Sequence, residues 1–346
     1  MFFTTDMGNH EMNYTAKFYP LPSDGVCGRK TVESDGRDPV TIDPYIFDDE
    51  IAITVDAAFA TRRPLLISGP PGCGKSRLAE TIADLKGWHY IGKTLTSRTR
   101  IEDLTVEMDH LRRLHDAHKK EGNIDSDWAY YMPGIFWWAL NSKTAKNRGA
   151  PPEHHEKVEE ASFPGLERRQ EQAVESTVIL LDEIDKAEPD LPNDLLELLD
   201  RGSFDLPNGQ KEYRDKAKAI LTVITTNGER ELPLAFLRRC VHLELTQPPK
   251  EALIRIAVCH FAEEHTTESE HKQLVKKISA IVEQFDKCRR QAKQDDLRVP
   301  GTSELLDAIR ASIKLKIPAD PDNHIWEYLQ RAIISKHPKK LESADE

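Results

Sequence analysis

The amino-acid sequence predicts an α/β fold, in which helices enclose a parallel β-sheet and a small all-helical domain follows. A glycine-rich loop at 69–76 stands between an apolar run and a helical pattern, which is the order expected at a strand-to-helix turn. Short apolar runs at 178–181 and 219–224 are typical of strands buried on both faces. After residue 249 the periodic segments of the chain are all helical in pattern.

The glycine-rich loop reads G-x-x-x-x-G-K-S, beginning at Gly69 and ending at Ser76. Its glycines let the backbone curl so that successive N–H groups point inward, toward an anion. The helix N-terminus that follows adds partial positive charge. In this pattern Lys75 reaches the β- and γ-phosphates of a nucleotide, and the Ser76 hydroxyl binds Mg²⁺. The predicted nucleotide contacts are Gly69, Pro70, Pro71, Gly72, Cys73, Gly74, Lys75, Ser76 and Arg77.

A second motif ends the apolar run at 178–181 with two acids, Asp182 and Glu183. At the carboxyl end of a buried strand, Asp182 can hold Mg²⁺ opposite Ser76. Glu183 is then placed to polarise an attacking water. A buried strand that simply ends in acidic surface residues is the alternative, and the phosphate loop upstream favours the catalytic interpretation.

Two polar features follow further along the chain. The strand predicted at 219–224 leads to Asn227, whose amide can contact a catalytic water or the γ-phosphate, or can form an Asx turn. Arg238 and Arg239 precede a last predicted strand at 241–245. Paired arginines are usually solvated, but one of these could reach the γ-phosphate of a neighbouring subunit and stabilise charge in the transition state.

Composition restricts the class of protein. The chain has 346 residues and a net charge of −11, which argues against a nucleic-acid partner. Five scattered cysteines without a C-x-x-C pair favour reduced thiols. The polar, acid-containing segment 1–11 is unlike a signal peptide, and no apolar run approaches the length of a membrane span. We therefore expect a cytoplasmic protein without a membrane partner.

The segments before the second motif are assigned from their patterns. Pro and Gly without periodicity predict an irregular arm at 1–45. Apolar residues at helical spacing predict helices at 45–60 and 101–120, and a short strand is expected at 88–92. The aromatic stretch at 128–138 is interpreted either as core packing or as a binding segment.

Residues 141–175 are rich in Lys, Glu and Pro and are expected to form an exposed, mobile loop. Within it, His154 and His155 give only a weak metal signal, since no Cys or acidic pattern frames them. An Asn-Gly pair predicts a hairpin at 203–214. The helices predicted after the second motif are 191–201, 251–265, 268–293, 303–315 and 322–336.

In this order, the motifs resemble those of the AAA+ ATPase superfamily and, within it, of the MoxR-like branch, over roughly residues 45–315. The similar stretches are GPPGCGKS at 69–76 (Walker A), LLDEIDKAEPD at 180–190 (Walker B), SFDLPNGQKEYR at 203–214, TTN at 225–227, LPLAFLRRC at 232–240 and the glycine–aromatic PGIFWWAL at 133–140. The resemblance implies a three-layer α/β/α P-loop NTPase domain at 46–246. A helical lid domain with a polar tail would occupy 247–346.

The resemblance also implies roles for single residues. Lys75 and Ser76 match the nucleotide and Mg²⁺ positions, Asp182 and Glu183 the metal-holding and water-activating acids, Asn227 the γ-phosphate sensor, and Arg239, then Arg238, the arginine finger. The family usually carries an arginine in a Ser-x-Arg context in the lid. Here the stretch 301–306 reads GTSELL, so Arg298 and Arg310 are the candidates to replace it.

The implied activity is Mg²⁺-dependent ATP hydrolysis by a ring, most often a hexamer, with ATP bound between subunits. The output would be chaperone-like remodelling or activation of a partner protein, as family members often act with a von Willebrand factor A domain protein. The alternative is a nucleotide-gated switch with little intrinsic hydrolysis that recruits an effector. The missing lid arginine and the loop at 141–175 motivate that alternative. ATP is preferred over GTP only because of the resemblance.

Overall fold

Up to residue 249 the described chain contains both strands and helices, and the described residues beyond it are built from helices. The computed structural model describes residues 12–34, 37–119, 126–165, 176–261, 268–320 and 323–335. The strands are β1 (Val26–Cys27), β2 (Lys30–Ser34), β3 (Arg37–Ile42), β4 (Tyr45–Ile46), β5 (Leu65–Ser68), β6 (His89–Thr94), β7 (Val106–Met108), β8 (Tyr131–Pro133), β9 (Thr177–Asp182), β10 (Ser203–Asp205), β11 (Lys211–Tyr213), β12 (Ile220–Thr226) and β13 (Val241–Glu244). The helices are α1 (Asp49–Thr61), α2 (Lys75–Lys86), α3 (His110–Lys119), α4 (Ile135–Leu140), α5 (Ser142–Lys146), α6 (Leu191–Arg201), α7 (Leu234–Leu237), α8 (Lys250–Phe261), α9 (Glu268–Gln294), α10 (Thr302–Lys314) and α11 (His324–Gln330). Shorter 3₁₀ turns lie at Asp127–Tyr130, Pro152–Lys157 and Ile184–Lys186, and a π-helical turn lies at Arg331–Ser335.

The described residues form a five-stranded sheet in the order β13-β5-β12-β9-β6. Every neighbouring pair in it is parallel. The predicted parallel sheet is therefore confirmed. β12 lies between β5, which leads into the phosphate loop, and β9, which ends at Asp182.

Helices cover both faces of this sheet. Leu65, Ile67 and Val178 pack with α1 and α2 on one face, whereas Leu66 and Ile179 pack with α4 and α6 on the other. Successive strand residues point to opposite faces, and both sets are buried here, so the strands read as continuous apolar runs. The arrangement is the three-layer α/β/α fold that the sequence predicts.

The helices after residue 249 enclose a hydrophobic core of their own. Phe285, Leu305 and Trp326 are fully buried in it, and the Trp326 indole donates to the Gln284 side chain at 2.5 Å. The predicted C-terminal helices are thus confirmed where they are described; residues 262–267, 321–322 and 336–346, which include the predicted polar tail, lie outside the described residues. No helix in the described ranges combines the length and apolar character that a membrane crossing requires.

The expectation of an irregular arm at 1–45 is wrong for its second half. β2 pairs with β3 and β1 pairs with β4, both antiparallel. The preceding residues are held on α1, where the buried Asp56 carboxylate accepts from the Tyr14 hydroxyl and the Lys17 amide, both at 2.6 Å. These short strands are stabilised by pairing with one another. Their sequences therefore need not show the helical or alternating periodicity from which an element is predicted.

The helix predicted at 101–120 begins only at His110. Within the predicted range, residues 101–105 form turns, and 106–108 form β7, which pairs with β8. Asp109 then starts the helix, because its carboxylate accepts from the Arg112 amide at 2.8 Å. Similarly, the helix predicted at 45–60 begins at Asp49, with Asp48 as its N-cap.

The prediction of an exposed, mobile loop at 141–175 is wrong where the segment forms a helix and packs on its neighbours, whereas most residues at 151–156 are exposed, as expected. Residues 142–146 form α5, and the Arg148 guanidinium donates to the Tyr131 carbonyl at 2.6 Å and to the Glu159 carbonyl at 2.8 Å. The Phe163 ring packs edge-on against Trp138, with 5.5 Å between centroids. These contacts fix the segment onto the aromatic stretch beside it. Residues 166–175 lie outside the described residues.

The aromatic stretch at 128–138 is part of the core. Tyr131 and Trp137 are fully buried, which favours packing over client binding for this segment.

The two histidines that gave a weak metal signal make packing contacts. His154 stacks on Trp128, and the His155 ring contacts the Ala150 carbonyl. The predicted hairpin at 203–214 is confirmed as β10 and β11.

His260, near the end of α8, is buried where the N-terminal segment meets the C-terminal helices. Its backbone carbonyl accepts from the Arg29 guanidinium at 2.9 Å. Burial lowers the pKa of the imidazole to about 4; Asp43 opposes this shift, and Arg29 and Arg310 add to it. The ring is therefore neutral in the folded protein at neutral pH.

We expect His260→Phe to remove part of the protein's sensitivity to acid. Because the pKa of a histidine is about 6.5 in an unfolded chain, only the unfolded state gains the proton between about pH 6.5 and pH 4. The stability contribution of His260 is complete above that window and is lost as the pH falls through it, at up to about 1.4 kcal/mol per pH unit. Urea unfolding of both proteins across this window measures the difference. Identical slopes for wild type and variant would contradict the assignment.

Candidate functional site

The sheet order brings three polar segments to one edge. Parallel strands β5, β12 and β9 are adjacent, with Thr226 paired to Ser68 and Ile224 paired to Leu181. Their carboxyl ends therefore lie side by side, which is where ligands bind in open parallel sheets. The phosphate loop, the segment after β12 and the acidic end of β9 meet at this edge.

The phosphate loop takes the curled conformation that its glycines permit. Gly69, Gly72 and Gly74 have φ values of 148°, 76° and 97°, a region that favours glycine. A Cβ on Gly69 would lie 2.2 Å from the Leu245 carbonyl oxygen, so a side chain there would collide with the backbone after β13. The loop ends at the start of α2, whose N-terminal N–H groups are available to an anion.

Lys75 connects the loop to the neighbouring strand. The residue is buried, and its ammonium donates to the Gly69 and Pro70 carbonyls at 2.7 and 3.0 Å and to the Asn227 side-chain oxygen at 2.8 Å. The structure thus brings together two residues 152 positions apart in the chain. Lys75 and Asn227 were both predicted as site residues.

A cluster of oxygen atoms lies next to this lysine. The Ser76 hydroxyl donates to both carboxylate oxygens of Asp182, at 2.8 and 2.9 Å. Thr225 donates to the same carboxylate at 2.5 Å and accepts from the Glu183 amide at 2.9 Å. Sequence reasoning missed Thr225, although the polar Thr-Thr-Asn stretch at the end of an apolar strand was a signal for it.

Glu183 follows Asp182 in a left-handed conformation, with φ 61° and ψ 53°. Non-glycine residues adopt this region rarely, and at a cost of about 1–3 kcal/mol. One carboxylate oxygen accepts from the Lys186 ammonium at 2.9 Å and from the side-chain amide nitrogen of Asn227 at 3.4 Å. The structure thus places Glu183 and Asn227 together and adds Lys186, which sequence reasoning did not select.

The predicted arginines lie apart from this cluster. The Arg77 guanidinium pairs with Glu80 at 2.5 Å and with Asp43 at 3.2 Å. Arg239 is exposed, pairs with Asp200 at 2.8 Å and donates to the Ala235 carbonyl. Arg238, at the end of α7, is also exposed. Within one chain, therefore, neither Arg238 nor Arg239 joins the phosphate loop.

The start of α10 abuts the phosphate loop. A Cβ on Gly301 would lie 2.8 Å from the Pro71 carbonyl oxygen and 3.4 Å from the Gly72 Cα. The buried Glu304 carboxylate accepts from the Gly301 amide at 3.0 Å and from the Arg298 guanidinium at 2.5 Å. Of the two arginines considered as replacements in the lid, Arg298 is linked to this contact, whereas Arg310 pairs with Asp307.

These residues fit a magnesium nucleotide. The loop offers backbone N–H groups and one buried ammonium. Burial also raises the pKa of the Cys73 thiol, so this loop residue adds no negative charge near a phosphate. The oxygens of Ser76 and Asp182 are the ligand type that Mg²⁺ prefers. Lys75 and the loop amides would hold the phosphates, and Ser76 with Asp182 would hold the metal ion.

The fold and this cluster define a phosphate-loop nucleotide-binding protein. Residues 64–240 match the family described as the AAA domain of the dynein-related subfamily. Over 66 residues the chain is 38% identical to Protein CbbQ of Allochromatium vinosum, an alignment covering 18% of this chain and 81% of that protein. The chain belongs to the AAA+ ATPase superfamily and, within it, to the MoxR-like branch, as its motifs predict.

The contact between α10 and the phosphate loop makes Gly301→Ala a specific test. We expect the added methyl group to push α10 away from Pro71 and to weaken nucleotide affinity roughly tenfold, because overpacking costs about 1–3 kcal/mol. Titration with a fluorescent ATP analogue measures the affinity. Gly28→Ala is the control, since a Cβ at Gly28 meets nothing within 4 Å. Equal affinity in Gly301→Ala and wild type would show that this contact does not affect the site.

Proposed function

We propose that this chain is a cytoplasmic, Mg²⁺-dependent ATPase that assembles into a ring, most simply a hexamer. In this proposal ATP binds between neighbouring subunits, and hydrolysis drives remodelling or activation of a partner protein, for which a von Willebrand factor A domain protein is one candidate. The observation that carries the proposal is the convergence of Lys75, Asp182, Glu183 and Asn227 at one sheet edge. Membership of the AAA+ superfamily supports it.

Each residue of the cluster has a task that its contacts support. Lys75 would bind the β- and γ-phosphates and keep Asn227 beside them, since it already bonds to the Asn227 oxygen. A bound Mg²⁺ would neutralise phosphate charge, and Ser76 and Asp182 are the residues to hold it. Glu183 would orient the attacking water and take its proton.

The helical region after residue 247 is proposed to act as a lid over the nucleotide. Gly301 supports this role, because it touches the phosphate loop directly. The Arg298 guanidinium is held there by Glu304, so Arg298 is the proposed functional replacement for the missing lid arginine. In the same proposal residues 46–246 form the nucleotide-binding domain, against which the described part of the N-terminal segment packs.

One observation favours the second candidate function, a nucleotide-gated switch with little intrinsic hydrolysis. Lys186 binds the Glu183 carboxylate at 2.9 Å, and an ammonium there competes with water for the same oxygen. If a partner must move Lys186 away before Glu183 can act, basal turnover is low and rises when the partner is added.

We expect Glu183→Gln to abolish steady-state ATP hydrolysis while ATP binding persists. The amide keeps the shape of the side chain but cannot take a proton, and loss of a general base lowers rates about 10²- to 10⁴-fold. Phosphate release measures turnover, and light scattering with ATP and Mg²⁺ measures assembly. The trapped variant should form the larger assembly.

Glu188→Gln is the matched control, because Glu188 is an exposed acid five positions further along the same segment. It should hydrolyse ATP at the wild-type rate. Full activity in Glu183→Gln would remove Glu183 from the mechanism. Wild-type protein that binds ATP without hydrolysis or assembly would support the switch instead.

We expect Arg239→Ala to lower turnover about 10³-fold without abolishing ATP binding, since an arginine finger contributes at least that much elsewhere. If Arg239 acts on a neighbour's nucleotide, each site needs Glu183 from one subunit and Arg239 from the next. Mixing the two inactive variants, Arg239→Ala and Glu183→Gln, should therefore restore part of the activity.

Arg201→Ala controls for the loss of an exposed, ion-paired arginine, as Arg201 pairs with Glu197 at 2.6 Å on the same helix as Asp200. It should leave turnover unchanged. Wild-type turnover in Arg239→Ala would rule out this residue as the finger and direct the same test to Arg238. A mixture that stays inactive would rule out action between subunits.

A further inference from the structure

Asp185 lies two residues after Glu183 and has no role in the function proposed above. We propose that it is a positioning residue: its carboxylate fixes the backbone at 227–229 and thereby sets where the Asn227 side chain lies relative to Glu183. The inference rests on the proposed ATPase activity, because positioning of Asn227 matters only if Asn227 acts on the nucleotide or its water.

The contacts of Asp185 are directed at one segment. It is 5% exposed, and its Oδ2 atom accepts from the Asn227 amide at 3.1 Å and from the Glu229 amide at 3.0 Å. β12 ends at Thr226, so Asn227 is the first residue without a partner in the sheet ladder. At this point the Asp185 carboxylate supplies the hydrogen-bond acceptor that a neighbouring strand no longer provides.

A second contact connects the same two segments in the opposite direction. The Arg230 guanidinium donates to the Ala187 carbonyl at 2.6 Å. The turn that carries Glu183 and the segment that carries Asn227 are therefore joined by bonds from both sides. A rearrangement of either segment would have to break the bonds to Asp185 or to Arg230.

Burial of a carboxylate at this position carries a cost in free energy. Burying a charge is unfavourable unless it is fully hydrogen-bonded, and the Oδ1 atom of Asp185 has no hydrogen-bond partner in the described part of the chain. An apolar side chain would avoid that penalty but would leave two backbone donors unpaired. The carboxylate therefore pairs both backbone donors, and in doing so it fixes the position of Asn227.

The test compares Asp185→Ala and Asp185→Asn with wild-type protein. We expect Asp185→Ala to lower kcat roughly 10- to 100-fold, because small misplacement of a site residue has effects of that size, while KM for ATP changes little. Asp185→Asn should retain most of the rate, since its amide oxygen can accept both N–H bonds. Asp215→Ala is the control: Asp215 also accepts a backbone N–H, from Ala217 at 3.0 Å, but lies outside the cluster.

A purely structural role predicts a different result in the background of Asn227→Ala. If Asp185 acts through Asn227, adding Asp185→Ala to Asn227→Ala causes little further loss of kcat. An equal loss in both backgrounds, or a wild-type rate in Asp185→Ala, would overturn the inference.

Amide hydrogen exchange separates this inference from the proposed activity. Exchange of the Asn227 and Glu229 amides should accelerate in Asp185→Ala and stay near wild type in Asp185→Asn. If exchange of these amides changes in the variants as expected but the wild-type protein hydrolyses no ATP, the proposed function fails and the backbone contact stands. Unchanged exchange in Asp185→Ala overturns the positioning role whether or not the wild type is active.

Discussion

The insertion of β12 between β5 and β9 is the constraint on which the site depends. Parallel pairing on both sides fixes the register of the strand, with Thr226 opposite Ser68 and Ile224 opposite Leu181. A shift by one residue would exchange the side chains between the two faces of β12, and each face packs against its own apolar layer. Packing of two apolar layers therefore determines, through the register, that Asn227 lies next to Lys75.

Charge balance at the sheet edge follows from this arrangement. Three acids, Asp182, Glu183 and Asp185, lie within four consecutive residues, yet each has a different partner. Asp182 accepts from hydroxyl groups, Glu183 from an ammonium, and Asp185 from backbone amides. Because the three carboxylates are held by donors of different strength and mobility, they can carry out separate tasks. The donors around Asp182 are hydroxyl groups, whose oxygen atoms are of the type that Mg²⁺ binds.

Sequence reasoning predicted the sheet, the phosphate loop and the acidic motif because local order determines them. Lys75, Ser76 and Asp182 follow from spacing relative to single strands and helices. Thr225 and Lys186 could not be selected in the same way, since their importance depends on contacts that form only in the folded chain. The wrong assignments share this cause: β7 needs β8, the N-terminal strands need each other, and the segment after α4 needs the aromatic core.

The contact between α10 and the phosphate loop differs in its electrostatics from the rest of the site. A carboxylate beside a phosphate is repulsive, yet the buried Glu304 lies against the phosphate loop. Arg298 pairs with this carboxylate, so the pair as a whole brings no net charge to the loop. If the C-terminal helices respond to the nucleotide, the response has to depend on two features. One is the close backbone approach of Gly301, and the other is whether the Arg298 N–H groups bind Glu304 or phosphate. A lone lid arginine would respond to phosphate charge alone, whereas this pair must exchange one anion for another.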